Sequence, residues 1–451
     1  MRYLAFAGVG AFAFGILLLP LLVRRIRLHS VYGWMLVSAF VGLLVRPTFL
    51  LIFSPDRAEQ ESFFWLDVSL EEFIWPVTVL WLGCLLFAGS YAVGNSTRAE
   101  FRRLNRLQGD TNALALAGSI VALVGILAAV SFVQSTGGFS LGSLSTKRVV
   151  ASESAIADGL EAFGPTLAVG RAGLVGALVS FHLRRTAQRP VRFATLLVLA
   201  NAFLPFYASD RTGVILVVLQ LLALSALRVQ RMKRKTLITT AVVVLLLFQV
   251  LTTLRATGRS DDSFQLVSPI DTVESILVNR SLFDLSKNLH VVRETGGVLE
   301  VKFGESYVGA LAAPIPRSIW SEKPLISVGP EVGQRIYGNA IAGIPPGVFA
   351  EAYWNFLLPG LLGVSILFGS LCGKLDSVDR DRLKPFGQVV YVVVLLPLAY
   401  NAVASSFSGV VLDFLGDSIA LLAIWVLHLA LERKRTPDRI REPMMALETP
   451  R

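Results

Sequence analysis

The chain has 451 residues, of which 54% are hydrophobic and only 16% charged, and its mean hydropathy is +0.63. A soluble domain carries roughly a quarter of its residues as charges, so the composition excludes one and describes an integral membrane protein. The formal charge of +10 does not point to nucleic acid, because the cations sit in clusters at the ends of apolar stretches, where they act as topology signals.

A bilayer core about 30 Å thick requires roughly 20 apolar helical residues. Eleven stretches qualify: 3–23, 31–53, 73–94, 113–133, 164–183, 193–208, 212–228, 236–254, 348–372, 388–405 and 409–431. The range is ten to twelve, because 193–228 reads either as two spans or as one broken re-entrant unit. Backbone groups in lipid must be satisfied within their own segment, so the spans are helices and the fold class is all-α, a polytopic transmembrane bundle. The first stretch, Tyr3–Val23, exceeds the apolar region of a signal peptide and ends in Arg24-Arg25-Ile26-Arg27, so it reads as the first anchor.

The predicted organisation is a bundle of eight spans over 1–254, an extracytoplasmic loop over 255–347, three spans over 348–431 and a basic tail over 432–451. Alternate loops at 24–30, 95–112, 184–192, 228–235 and 373–387, with the tail, hold 26 of the 42 Lys and Arg residues, whereas 54–72, 134–163 and 208–211 hold four. By the positive-inside rule the basic set is cytoplasmic, which puts the amino terminus and the long loop outside and the carboxyl terminus inside.

Along the chain, Gly137-Gly138 opens a loop read as a solvated connection, and Arg171 is a cation inside the fifth span. Such a charge faces a cavity or a partner, or snorkels to the nearby interface. Ser209-Asp210-Arg211-Thr212-Gly213 is a polar knot between two apolar runs on the loop's side of the membrane. Inside the long loop, Ser268-Pro269-Ile270-Asp271 starts a helix. Val273, Ile276, Leu277, Leu285, Leu289 and Val292 continue it at helical spacing, and Gly296-Gly297 stops it. This helix lies on the membrane or on the bundle, and a second short one spans Pro330 to Gly338.

There is no Walker loop, GxGxxG, HExxH or GxSxG. Three of the four histidines lie near the cytoplasmic face, leaving His290 on the outer side. Asp261-Asp262 reads as solvated, Cys84 and Cys372 lie in or at the edge of different spans, and neither a metal, a cofactor nor a disulfide is predicted. The outer face does carry arginines: Arg211, Arg255, Arg259, Arg280, Arg293, Arg317 and Arg335. A guanidinium binds phosphate and diphosphate through two parallel hydrogen bonds.

Pro316-Arg317-Ser318-Ile319-Trp320-Ser321-Glu322-Lys323-Pro324, then Gly343-Ile344-Pro345-Pro346-Gly347-Val348-Phe349-Ala350-Glu351-Ala352-Tyr353-Trp354-Asn355-Phe356, together with the knot at 209–213, resembles the Wzy-type polymerases of O-antigen, capsular and exopolysaccharide repeat units. The departure is Leu357-Leu358-Pro359-Gly360, where a glycine is expected sooner after Asn355-Phe356. The resemblance implies a metal-independent glycosyltransferase of the GT-C type, acting on polyprenyl-diphosphate-linked glycans, as donor and as acceptor, at the outer leaflet of a bacterial inner membrane. A flippase and a chain-length regulator are the implied partners.

Such a reaction needs a departing lipid diphosphate stabilised and a sugar hydroxyl deprotonated. Arg211, Arg280 and Arg317 are the candidates for the first role, with Arg255, Arg171 and Lys323 as further binding cations. Glu351, then His290, are candidates for the second; Glu351 is equally a helix-start carboxylate stabilised by the dipole. Trp320 and Tyr353, with Trp354, either stack on sugars or anchor at the interface. An O-antigen ligase that transfers to a lipid A core, or a transporter, would share parts of this layout.

Overall fold

The structure is a computed structural model that describes residues 2–24, 30–45, 70–96, 109–135, 164–207, 211–227, 286–312, 328–338, 344–377, 383–395 and 405–439, with isolated positions such as 242, 315, 319 and 320. In chain order its helices are α1 (Arg2–Arg24), α2 (Val31–Ala39, prolonged by a π-helix Phe40–Val45), α3 (Leu70–Ser96), α4 (Thr111–Ser135), α5 (Gly164–Thr186), α6 (Arg192–Tyr207) and α7 (Arg211–Ala226). There follow α8 (Ser286–Glu294), α9 (Glu305–Leu311), α10 (Gly329–Tyr337), α11 (Val348–Asp376), α12 (Pro385–Val390, prolonged by a π-helix Tyr391–Leu395) and α13 (Phe407–Arg439). Among the described residues the only β-pairing is a single bridge between Thr295 and Leu299.

Helices fill, in whole or in part, each expected apolar window except 236–254, which lies outside the described residues apart from isolated positions. Among the described residues four are long and apolar enough to cross a membrane: Ile74–Ser96, Thr111–Gln134, Val348–Asp376 and Phe407–Glu432. Gly8–Leu19, Arg192–Pro205, Leu216–Ser225 and Pro385–Leu395 are apolar but shorter. The stretch 193–228 forms two helices, α6 and α7, and Arg211 is the first residue of the second.

Between helices in lipid there is little apolar transfer to gain, so association rests on close packing and interhelical hydrogen bonds. Glycines supply the closeness. A Cβ added at Gly125 of α4 would lie 2.4 Å from the Gly173 Cα of α5, and one at Gly118 would lie 2.7 Å from the Gly176 carbonyl. The Ser119 and Ser180 hydroxyls bridge the same pair at 2.9 Å, and Asn201 of α6 donates to the Ala122 carbonyl at 3.2 Å. The α3–α11 pair is built likewise, with Gly369 against the Phe87 carbonyl and Gly373 against that of Tyr91. We expect Gly125→Leu to abolish recovery of monodisperse protein in detergent, while Gly8→Leu, with nothing within 4 Å, is tolerated. Equal recovery of the two variants would show that the α4–α5 contact does not hold the bundle.

At one end of the bundle the Asp376 carboxylate accepts hydrogen bonds from the Tyr91 hydroxyl at 2.8 Å, from the Tyr391 hydroxyl and from the Tyr32 backbone N–H at 3.4 Å. One buried acid thereby joins α2, α3, α11 and the π-helical stretch after α12. Cys84 and Cys372 are both buried as free thiols. At the other end, described parts of the long segment 255–347 fold back onto the helices, and we call this the loop end.

Candidate active site

The loop end is organised by the first turns of α11. Pro359 has no N–H and its ring opposes the carbonyl of the residue four positions before it, so a straight helix cannot run through Asn355. The chain breaks upstream, at Phe356 (φ −141°) and Leu357 (φ 54°), and resumes towards Asp376. Residues 348–355 therefore form a short helical cap set off from the apolar remainder.

On that cap Glu351 and Asn355 lie one turn apart and both are fully buried. The Ser306 hydroxyl of α9 donates to Glu351 Oε1 at 2.6 Å, and the backbone N–H of Phe407, at the start of α13, donates to Glu351 Oε2. The Asn355 amide donates to Ser306 Oγ and to the Glu351 carbonyl, each at 2.8 Å, and its Oδ1 accepts the Gly304 N–H at 3.0 Å. One carboxylate and one amide thus tie together α9, α11, α13 and the turn before α9.

The rest of the long segment docks around this knot. The Trp354 indole donates to the Glu300 carbonyl at 2.8 Å, and Lys302 lies over the Trp354 ring at 5.5 Å while pairing with Glu331 of α10 at 2.8 Å. Arg293 of α8 pairs with Glu72 of α3 at 2.7 Å. Gly347 (φ 77°) is packed so closely on Asn288 of α8 that a Cβ there would meet the amide at 2.4 Å. Glycine is required twice over at this position, by backbone conformation and by space.

Tyr307 completes the cluster. Its ring meets Phe407 edge-on at 4.8 Å and lies 6.1 Å from Phe356, and its buried hydroxyl has no hydrogen-bond partner among the described residues. Burial, reinforced by Glu351, holds its phenol protonated far above the usual range. An orphaned buried hydroxyl costs about 1–3 kcal/mol. Tyr307→Phe should therefore leave the thermal midpoint unchanged or raise it; a lower midpoint would mean that the hydroxyl has a partner after all.

The sequence-predicted residues divide three ways. Glu351, His290 and Tyr353 come to the loop end and are buried. His290 lies in α8 with its ring 5.7 Å from that of Tyr337, and the Tyr353 hydroxyl accepts from the Trp75 indole at 3.4 Å. Trp320 is exposed, and Arg211 opens α7. Arg255, Arg280, Arg317 and Lys323 lie outside the described residues. Both oxygens of Glu351 hold donors and neither faces solvent, so the carboxylate ties the cap of α11 to α9 and α13.

Arg171 has partners the sequence did not name. Nε and Nη2 grip both oxygens of Asp417 at 2.8 and 3.0 Å, and Nη1 bonds Asp413, with both acids on α13. With its fork filled by carboxylates, Arg171 is a helix-to-helix clasp and drops out of the substrate-binding set. Removing one partner of such a group strands the other charges, at a cost on the order of 3 kcal/mol, whereas an apolar replacement of all three can be neutral. Arg171→Met should thus lose folded protein, and adding Asp413→Leu and Asp417→Leu should restore it. Failure of the triple variant to recover would show that the clasp does more than join α5 to α13.

No family model matches this chain, and neither a curated protein nor a solved structure does.

Among the described residues no group of three or more His, Cys, Asp or Glu side chains is placed to hold a metal ion. What sequence reasoning missed at the loop end is Ser306, Asn355, Asn288 and Tyr307. Asn355 alone left a signal: it stands one turn after Glu351 and just before a proline-induced break, where an amide side chain can replace lost backbone partners.

Proposed function

We propose that the chain is a membrane glycosyltransferase that polymerises polyprenyl-diphosphate-linked oligosaccharide repeat units at the outer leaflet of a bacterial inner membrane. The observation that carries this reading is the behaviour of residues 344–356. One of the three stretches through which the sequence resembles the Wzy-type polymerases is also the one on which α8, α9, the turn at 295–304 and the start of α13 converge.

In this proposal Glu351 and Asn355 fix the floor of the site. The acceptor sugar's hydroxyl oxygen bonds to the donor's anomeric carbon, and its proton passes to Glu351 or, second, to His290 as general base. Arg211, Arg280 and Arg317, with Arg255 and Lys323, bind the donor's diphosphate and neutralise charge as the glycosidic oxygen of the lipid diphosphate departs. Such chemistry needs no metal, because guanidinium groups supply the positive charge. Trp320 offers an aromatic face to a sugar at the edge of the site. The experiment offers purified protein both a lipid-linked repeat unit and a lipid A core as acceptors. A ladder of lengthened lipid-linked glycans supports the polymerase, and single transfer to the core makes it a ligase. Recovery of both acceptors unmodified defeats both enzyme readings.

A further inference from the structure

Helix α9 is inside out for a helix that stands in water. Its buried residues are Ser306, Gly309 and Ala310, small or polar, while Val308 and Leu311, three positions apart on one face, point outward with Leu311 69% exposed. After the helix, Ile315, whose N–H bonds the Ala312 carbonyl at 2.9 Å, and Ile319 at 77% exposure are further apolar side chains left outside. Just before the helix, Phe303 is 80% exposed and is held in the left-handed region at φ 47°. That backbone conformation is unfavourable for a non-glycine residue, and the ring it carries is turned away from the protein.

We propose that α9 and its flanking turns are embedded in the bilayer surface at the loop end, with Phe303, Val308, Leu311, Ile315 and Ile319 in contact with membrane lipid. Continuity identifies the occupant. Helix α9 packs on α13, and Gly304 before it and the Tyr307 ring within it lie against Phe356, which with Leu357 marks the break in α11; both of these are exposed. Below that break, the exposed apolar faces of α11, through Leu362 and Leu367, and of α13, through Leu412, belong to two helices long enough to cross a membrane. A face that runs on from lipid-facing surface faces the same lipid. Small residues towards the protein and large apolar residues outward is the arrangement that lipid selects and water opposes. The exposed carboxylate of Glu305 and the Lys302 ammonium that pairs with it at 3.2 Å mark the polar limit, so the helix lies at the boundary and not in the hydrocarbon centre. The long segment is accordingly not wholly an aqueous loop: Glu351 and Asn355, bonded to Ser306 on the opposite side of α9, are buried one helix behind the lipid surface.

The test uses the full chain in phosphatidylcholine nanodiscs, with an environment-sensitive fluorophore on Leu311→Cys, on Ile319→Cys and, as an aqueous control, on Glu300→Cys. Because Cys84 and Cys372 are buried, the unsubstituted protein gives the background. The labels at 311 and 319 should emit to the blue of the label at 300, be quenched by lipid carrying a nitroxide near the headgroup, and resist aqueous iodide. Quenching by iodide and not by the nitroxide lipid would put the face in water, and protection from both would put protein over it; either result overturns the proposal. Both labelled positions are exposed and each belongs to the proposed lipid contact, so one suffices if the other impairs folding.

Discussion

Arg317→Lys is expected to lose nearly as much turnover as Arg317→Ala, each on the order of 10²–10³ relative to the unsubstituted chain. A guanidinium holds a diphosphate through two parallel hydrogen bonds, and lysine keeps the charge while losing the fork. Arg231→Ala, in the basic stretch 228–235 that the sequence reading assigns to the cytoplasmic side, should be nearly silent. The comparison is made per folded molecule, because an arginine that only ties 314–324 to a carboxylate would lower the amount of folded protein and leave turnover unchanged. That outcome would remove Arg317 from the site and transfer its role to Arg211 and Arg280.

Glu351→Ala should destabilise the loop end by about 2–6 kcal/mol, since two buried donors, the Ser306 hydroxyl and the Phe407 N–H, lose their acceptor at about 1–3 kcal/mol each. Glu351→Gln should fall between the unsubstituted chain and alanine, because an amide oxygen still accepts from one donor while the amide NH₂ confronts the other. Thermal unfolding in detergent, followed by the loss of monodisperse protein, orders the three. If Glu351→Ala unfolds with the unsubstituted chain but has no turnover, the carboxylate is not the anchor described and its role is that of general base alone.

The architecture was legible where apolar periodicity and helix punctuation decide it. Helices occur, in whole or in part, at the apolar windows that the described residues cover, Gly296 (φ 90°) follows α8, and α10 ends on Gly338 (φ 64°) where the sequence expects a stop. Helix α9 was not legible, because a reading that expects loops to turn apolar residues inward cannot recognise a helix with Ser306 and Gly309 inside and Leu311 outside. Arg171 was visible as a charge within a span, but its partners lie more than 240 positions away. Asp413 and Asp417, two acids one turn apart in the last span, were the signal: opposite charges inside apolar helices seek one another. Asp376 and its tyrosines, and Ser306 with Glu351, escaped for the same reason, since a contact between distant positions leaves no local pattern in a single sequence.

The most direct test of the central claim is turnover of synthetic polyprenyl-diphosphate-linked repeat units by the purified chain alone, in nanodiscs, with EDTA present. The account predicts a ladder of products lengthened by whole repeat units, forming at the same rate with and without the chelator. Substrate that stays at its starting length in the presence of demonstrably folded protein would contradict the enzymatic reading. Growth that stops with EDTA and returns with magnesium or manganese would contradict the claim that arginines alone carry the diphosphate.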